Sequence, residues 1–176
     1  MASEEAAADA PVTGPAETLE AIGDQRSDDA VPVVEAERVP YLGFFLGGEV
    51  YGLPLQQLRE VARLTRVRRI PGAPSSVAGL VNLRGEIICA LNAHAILGVA
   101  PSAPAAPAFF VALRGFTDPI GLVVDDIADI YSIDPGQIEP PPSTWSAERS
   151  AFIVGTAQVR EGLMGLLDLQ RMVADK

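Results

Sequence analysis

The sequence predicts an all-β protein made of two small barrels. Three observations carry that expectation. About ten short runs of apolar and branched residues are separated by turn signals, and 16 glycines and 15 prolines supply those turns. Almost no stretch holds a helical period long enough to bury a face. An Ala/Pro segment near residues 99–108 divides the runs into two sets of similar rhythm, which favours two barrels over a single sandwich.

Residues 1–40 form an acidic Ala/Pro-rich tail, with ten acids against Arg26 and Arg38 and no aromatic side chain. Such a segment cannot bury enough surface to offset the entropy of ordering it, so it is expected to be disordered, with order starting near Val39. Tyr41–Leu46 reads as a strand, Gly47-Gly48-Glu49 as a turn and Val50–Leu53 as the returning strand. Pro54 suits the first turn of a short helix over Leu55–Glu60, with Leu55 and Leu58 on one face. Val61–Val67 is extended, and Ile70–Pro74 is a stiff connector. A hairpin over residues 79–91 leads to one or two helical turns at Ala93–Leu97, stopped by Gly98. Beyond the linker, strands are expected at Phe109–Leu113, Ile120–Asp125 and Ile127–Ile133. Asp134-Pro135-Gly136 makes a turn, and a proline-rich loop runs through Trp145. A last hairpin, Phe152–Val159 with Leu163–Leu167, precedes a helix at Leu169–Ala174 that Asp168 can cap.

Composition narrows the function classes. At 176 residues with 48% apolar side chains, the chain can bury a real core in one domain with an appendage. The net charge of −10 lies mostly in the tail, leaving the folded part near neutral, so nucleic acid is not an expected partner. Cys89, the single cysteine, lies in an apolar run and fits a buried side chain in a reduced, cytoplasmic protein. The first thirty residues lack the apolar core of a secretory signal, and the uncharged run Ala95–Leu113 carries Pro101, Pro104 and Pro107, which argues against a spanning helix and membrane insertion. No cofactor or metal site is expected. Asp125 and Asp126 point to opposite faces of a strand, no cysteine or histidine joins them with Asp129 in sequence, and they read as turn and edge-strand acids. His94, the only histidine, has no nucleophile near it and reads as a surface or satisfied structural residue.

The most informative stretch is Gly79-Leu80-Val81-Asn82-Leu83-Arg84-Gly85-Glu86-Ile87-Ile88-Cys89-Ala90-Leu91, two apolar strands hinged on Arg84-Gly85, with Gly85 able to take the positive φ of a tight hairpin. Arg84 is either a solvated turn residue or a guanidinium held by a carboxylate and offered to a partner. Asn82-Leu83-Arg84-Gly85 followed by an apolar strand resembles the signature of the CheW-like domain, the adaptor of bacterial chemosensory arrays. Further pieces follow in family order between Tyr41 and Val173: Phe44–Leu53, Leu58-Arg59-Glu60-Val61, Gly121–Ile130 and Gly155–Leu169. One departure stands out, because Asn92-Ala93-His94 occupies the place where the family commonly has an aspartate and an arginine.

The resemblance implies two SH3-like five-stranded barrels around a groove and a non-catalytic adaptor. Its implied partners are the regulatory domain of a CheA-type histidine kinase and the cytoplasmic tip of a methyl-accepting chemoreceptor, with a cytoplasmic location at membrane-associated receptor arrays. The same scaffold could serve a pathway controlling pili, gliding or a second messenger, and a generic peptide-binding β-barrel is the reading from another class. Candidate receptor- and kinase-binding residues are Leu58, Glu60, Val61, Val81, Asn82, Arg84, Gly85, Ile127 and Ile130. Glu60 is the only acid among Arg59, Arg63, Arg66, Arg68 and Arg69. It either pairs with Arg84 or merely offsets its neighbours on a solvated face. Leu58, Val61, Val81, Ile127 and Ile130 either floor a groove for a receptor helix or belong to the core. The arginine stretch is suited to acidic side chains, and the acidic tail either screens it or acts only as a solubiliser.

Overall fold

The computed structural model describes residues 37–102 and 108–174. The expected disordered tail up to residue 36 and the middle of the expected linker lie outside them. Ten strands are present among the described residues, in two five-stranded sheets. They are β1 (Val39–Leu46), β2 (Glu49–Pro54), β3 (Leu58–Arg63), β4 (Val77–Leu83), β5 (Glu86–Asn92), β6 (Phe109–Leu113), β7 (Ile120–Val124), β8 (Asp126–Ile133), β9 (Ile153–Val159) and β10 (Gly162–Leu167). Three short helices accompany them: α1 (Ala93–Leu97), α2 (Ala147–Ser150) and α3 (Leu169–Ala174). No helix among the described residues is long and apolar enough to cross a membrane.

Sheet I has the order β8-β1-β2-β10-β9, and sheet II the order β3-β6-β7-β5-β4. The sheets therefore do not divide at the Ala/Pro segment. β5 and β6, on either side of it, both belong to sheet II, and each sheet draws strands from both halves of the chain. The chain is a duplication in which the two copies have exchanged their first hairpins.

The register makes the duplication explicit. Gly43 pairs with Gly52 as Ala112 pairs with Gly121. Leu42 and Phe44 face Ile130 and Ile127 as Val111 and Leu113 face Val61 and Leu58. β2 runs parallel to β10, and β7 runs parallel to β5. A bulge follows Val77 in β4, and its counterpart lies at the Leu166–Leu167 step between β9 and β10. Asn92 caps α1 through the Ala95 N–H, and Asp168 caps α3 through the Arg171 N–H.

Each sheet curls on itself because the chain leaving one edge strand crosses to the other edge. After β3, Arg68 forms a two-way backbone bridge to Leu80 of β4; after β8, Glu139 does the same with Thr156 of β9. Glycine sits beside each crossing. A Cβ on Gly79 would lie 2.4 Å from the Arg68 carbonyl oxygen, and one on Gly155 would lie 2.4 Å from Ile138.

Strand alternation then fills three cores. Val50, Met164 and Leu166 sit inside sheet I, and Val81, Ile88, Ala90 and Phe110 sit inside sheet II. The outward residues of both, among them Leu42, Phe44, Leu53, Leu91, Val111 and Leu122, meet in the largest cluster, together with Leu97 of α1 and Met172 of α3. The facing sides of the sheets are thus in apolar contact.

The expected helix over Leu55–Glu60 is a single 3-10 turn at Leu55–Gln57, with β3 starting at Leu58. Pairing with β6 decides this. Along β3 burial alternates, Leu58, Glu60 and Ala62 being half-buried and Arg59, Val61 and Arg63 exposed. A register shift after Leu58 sets it on the largest core while Glu60 and Ala62 pair with Ala112 and Phe110, and a helix cannot satisfy this pattern.

Candidate functional site

The hairpin of β4 and β5 turns through Arg84 and Gly85, with Leu83 opposite Glu86. The type I′ hairpin turn, whose twist matches the strands, needs positive φ at both central positions, and Arg84 has φ 53° beside Gly85 at 90°. Arg84 is the only non-glycine residue in that region among those described. An L side chain held there costs on the order of 1 kcal/mol or more. Asn82 sets the turn from the side, its Oδ1 accepting the Gly85 N–H at 2.9 Å.

Two carboxylates fasten this tip across to the outer edge of sheet II. Arg84 Nη2 lies 3.5 Å from Glu60 Oε2, and Arg59 Nη2 donates to Glu86 Oε2 at 2.5 Å. Glu60 is therefore partnered as one sequence reading expects, but it stands on a strand and not on a surface helix. The hydrogen bond to Glu86 raises the Arg59 pKa and lowers that of Glu86. Arg84 is 83% exposed, so the pair stabilises the fold by no more than about 1 kcal/mol and mainly aims the guanidinium outward.

Around the tip the expected residues part company. Val61 is exposed on β3 at 37%, next to Glu60. Asn82 and Gly85 are exposed, whereas Val81 is buried inside sheet II. Leu58 and Ile127, at equivalent positions of the duplication, both pack half-buried against the largest core. Ile130, the equivalent of Val61, is 57% exposed on β8 in sheet I. The structure brings Glu60 and Arg84 together. It sets Ile127 and Ile130 on the other sheet.

The duplication supplies a second pair that sequence reasoning missed. Arg160 occupies the place of Arg84, and Asp129 that of Glu60; Arg160 Nη2 bonds Asp129 Oδ2 at 2.8 Å. Arg160 also lies 3.8 Å from Glu161, which accepts a short hydrogen bond from the Tyr131 hydroxyl. Burial, then that hydrogen bond and the surrounding acids, push the Tyr131 phenol up to about 12. The clue lay in the matching order of an acid on the third strand and an arginine at the last hairpin of each copy.

Two further polar clusters hold the frame. His94 places Nε2 at 2.7 Å from Asp125 Oδ1 and Nδ1 at 3.1 Å from the Val99 carbonyl oxygen, while Asp125 Oδ2 accepts the Gly47 N–H at 2.8 Å. His94 thus ties α1 to the β1–β2 turn through Asp125. Arg149, only 13% exposed, lies over the Trp145 ring and bonds Glu49, which also accepts from Tyr51. This fixes the proline-rich loop and α2 on β2. Burial raises the Tyr51 pKa, with Glu49 adding to it and Arg149 opposing it.

The family model of the CheW-like domain matches residues 40–176. The chain belongs to the CheW-like domain family. Curated relatives agree: the chain is 27% identical over 147 residues to the chemotaxis protein CheW of Treponema pallidum, covering 81% of this chain and 86% of that protein. It is 24% identical over 136 residues to that of Klebsiella aerogenes, covering 77% and 82%. Among solved structures, the scaffolding protein TtCheW from Thermoanaerobacter tengcongensis superposes with a TM-score of 0.69 at 24% identity, covering 82% of this chain and 93% of that one, which establishes the shared fold. Within this CheW-like frame, His94 of the Asn92-Ala93-His94 stretch contacts Asp125.

Proposed function

We propose that this CheW-like protein is a chemosensory adaptor that links the cytoplasmic tip of a chemoreceptor to the regulatory domain of a CheA-type histidine kinase. It would work in the cytoplasm at membrane-associated arrays, by binding and without catalysis. The observation that carries the reading is the Arg84 tip. A backbone conformation that is unfavourable for arginine is retained, and the exposed guanidinium is steered by Glu60 beside the uncovered Val61. Strain kept at an exposed position is a mark of a binding surface, since folding alone would favour glycine or asparagine there. Leu58, Asn82 and Gly85 complete this face, with Val81 beneath it. Ile127 and Ile130 are assigned to a receptor-facing surface on sheet I. The names of the relatives support chemotaxis as the pathway.

The test is capture of a purified kinase regulatory domain and of a receptor-tip fragment by the wild-type chain and by Arg84→Ala. Wild type is expected to hold both. The variant should lose about tenfold or more in affinity for at least one, with an unchanged circular dichroism spectrum. Failure of the wild type to bind either partner overturns the proposal.

A further inference from the structure

The crossings that close the two sheets leave two equivalent seams. In sheet II the chain after β3 runs antiparallel to β4 but bridges it once, at Arg68–Leu80, and a cavity of about 410 Å³ opens between them. Thr65, Arg66 and Arg68 line one side; Leu80, Val81, Asn82 and Ile87 line the other. In sheet I the bridge is Glu139–Thr156, and the matching cavity, about 580 Å³, has Gln137 and Glu139 facing Thr156, Ala157, Gln158 and Leu163. The duplication places Leu80, Val81, Asn82 and Ile87 on Thr156, Ala157, Gln158 and Leu163, so shape is repeated while charge is not.

The seam of sheet II has three properties of a strand-docking edge. Successive residues alternate sides, so the Asn82 N–H and C=O point the same way as those of Leu80, out of the sheet, and no backbone partner meets them among the described residues. Val81 lines the inner face of the seam, and Leu80 and Ile87, the latter 53% exposed, lie on the outer face with Arg68. Arg66 and Arg68 are exposed and make no ion pair with any described residue, as do Arg63 and Arg69 on the same segment.

We infer that the Arg66–Arg68 seam of sheet II accepts an extended segment of a partner protein in which acidic and aliphatic side chains alternate. The segment adds to β4 at Asn82, turns its aliphatic side chains to Val81 on the inner face, and places its carboxylates against Arg66 and Arg68 on the outer face. The seam of sheet I, with Glu139 on its rim and no cation, rejects the same segment. This deepens the proposed function and rests on it, because Val81 and Asn82 border the Arg84 tip.

The test uses the full chain and a fluorescein-labelled peptide of alternating glutamate and valine, blocked at both ends. Saturable binding is expected from anisotropy, weaker at high salt and absent for the lysine–valine peptide. The double change Arg66→Gln/Arg68→Gln should weaken it about tenfold or more, with circular dichroism reporting an intact fold, and Glu139→Gln should leave it within about twofold. No saturable binding, or undiminished binding to the glutamine variant, overturns the inference. Amide shifts at Gln158 and Leu163 instead of Asn82 and Ile87 overturn it too. The assay contains neither kinase nor receptor. A peptide failure with kinase capture intact therefore removes the seam alone, and loss of capture with peptide binding intact removes the adaptor reading alone.

Discussion

The hairpin tip of sheet II and that of sheet I are copies fastened in different ways. Arg160 is held at 2.8 Å by Asp129, and its neighbour Glu161 is fixed by Tyr131. That tip satisfies itself, and the positive φ falls on Gly162, where it costs little. Arg84 stands 3.5 Å from its carboxylate, takes the positive φ itself, and has Ala62 where the other copy has Tyr131. One tip is closed by its own side chains, and the other keeps a loosely held cation in a strained turn. Duplication supplied the geometry twice, and the two copies differ in how the arginine is fastened.

Several changes sharpen or break this contrast, and the glycines at the two crossings give the largest effect. Gly79→Ala adds a Cβ 2.4 Å from a backbone oxygen at φ 144°, where little can yield, and should cost about 3 kcal/mol or more in denaturant unfolding. Gly155→Ala meets the Ile138 Cγ2 methyl at 2.4 Å and the Glu139 oxygen at 3.0 Å, but without a positive φ, and should cost about 1–3 kcal/mol. Equal costs would show that the crossings are not tightened differently.

Relief of strain comes next. Arg84→Gly should raise stability by about 0.5–1 kcal/mol while weakening capture of at least one partner about tenfold or more, whereas Arg160→Gly should lower stability slightly. A loss of stability in Arg84→Gly would mean that the Glu60 contact outweighs the backbone strain.

The tyrosine on the closed tip sets an alkaline limit. Its folded pKa of about 12 lies above the ordinary 10, so the neutral phenol is favoured by folding. That contribution is complete below about pH 10 and disappears as the pH rises towards 12. Glu161→Gln should bring phenolate formation by Tyr131 to lower pH in near-ultraviolet absorbance. The corresponding acid-side effect in the other copy is smaller. Glu86, lowered by its bond from Arg59, supports folding above its ordinary pKa of 4.5, and this is lost as the pH falls through its depressed value. Because both groups are exposed, Glu86→Gln should move the acid unfolding midpoint only marginally.

Strand positions were legible in the sequence because period-two alternation and turn residues are local. Phe109–Leu113, Ala93–Leu97 and the Arg84-Gly85 turn were all expected where they occur. The pairing of Glu60 with Arg84 was one of two readings of the single acid in an arginine-rich stretch, and the resemblance to the family favoured it. Leu55–Glu60 escaped, since a leucine spacing of three and a preceding proline imitate a helix until β6 provides a partner edge. Arg59–Glu86 and Asp129–Arg160 escaped as well, because they join residues that only the closure of each sheet brings together.

By itself the sequence determined the elements, the family and the chemical character of the exposed tip, all of which depend on residues near one another along the chain. The exchange of hairpins between the copies was decided only in three dimensions. Pairing partners are selected by which apolar faces can be buried together, and the largest core requires β1 and β2 to cross to the strands of the second copy. The opposite charge of the two seams is likewise a property of that assembly, since it places Arg68 on Leu80 and Glu139 on Thr156.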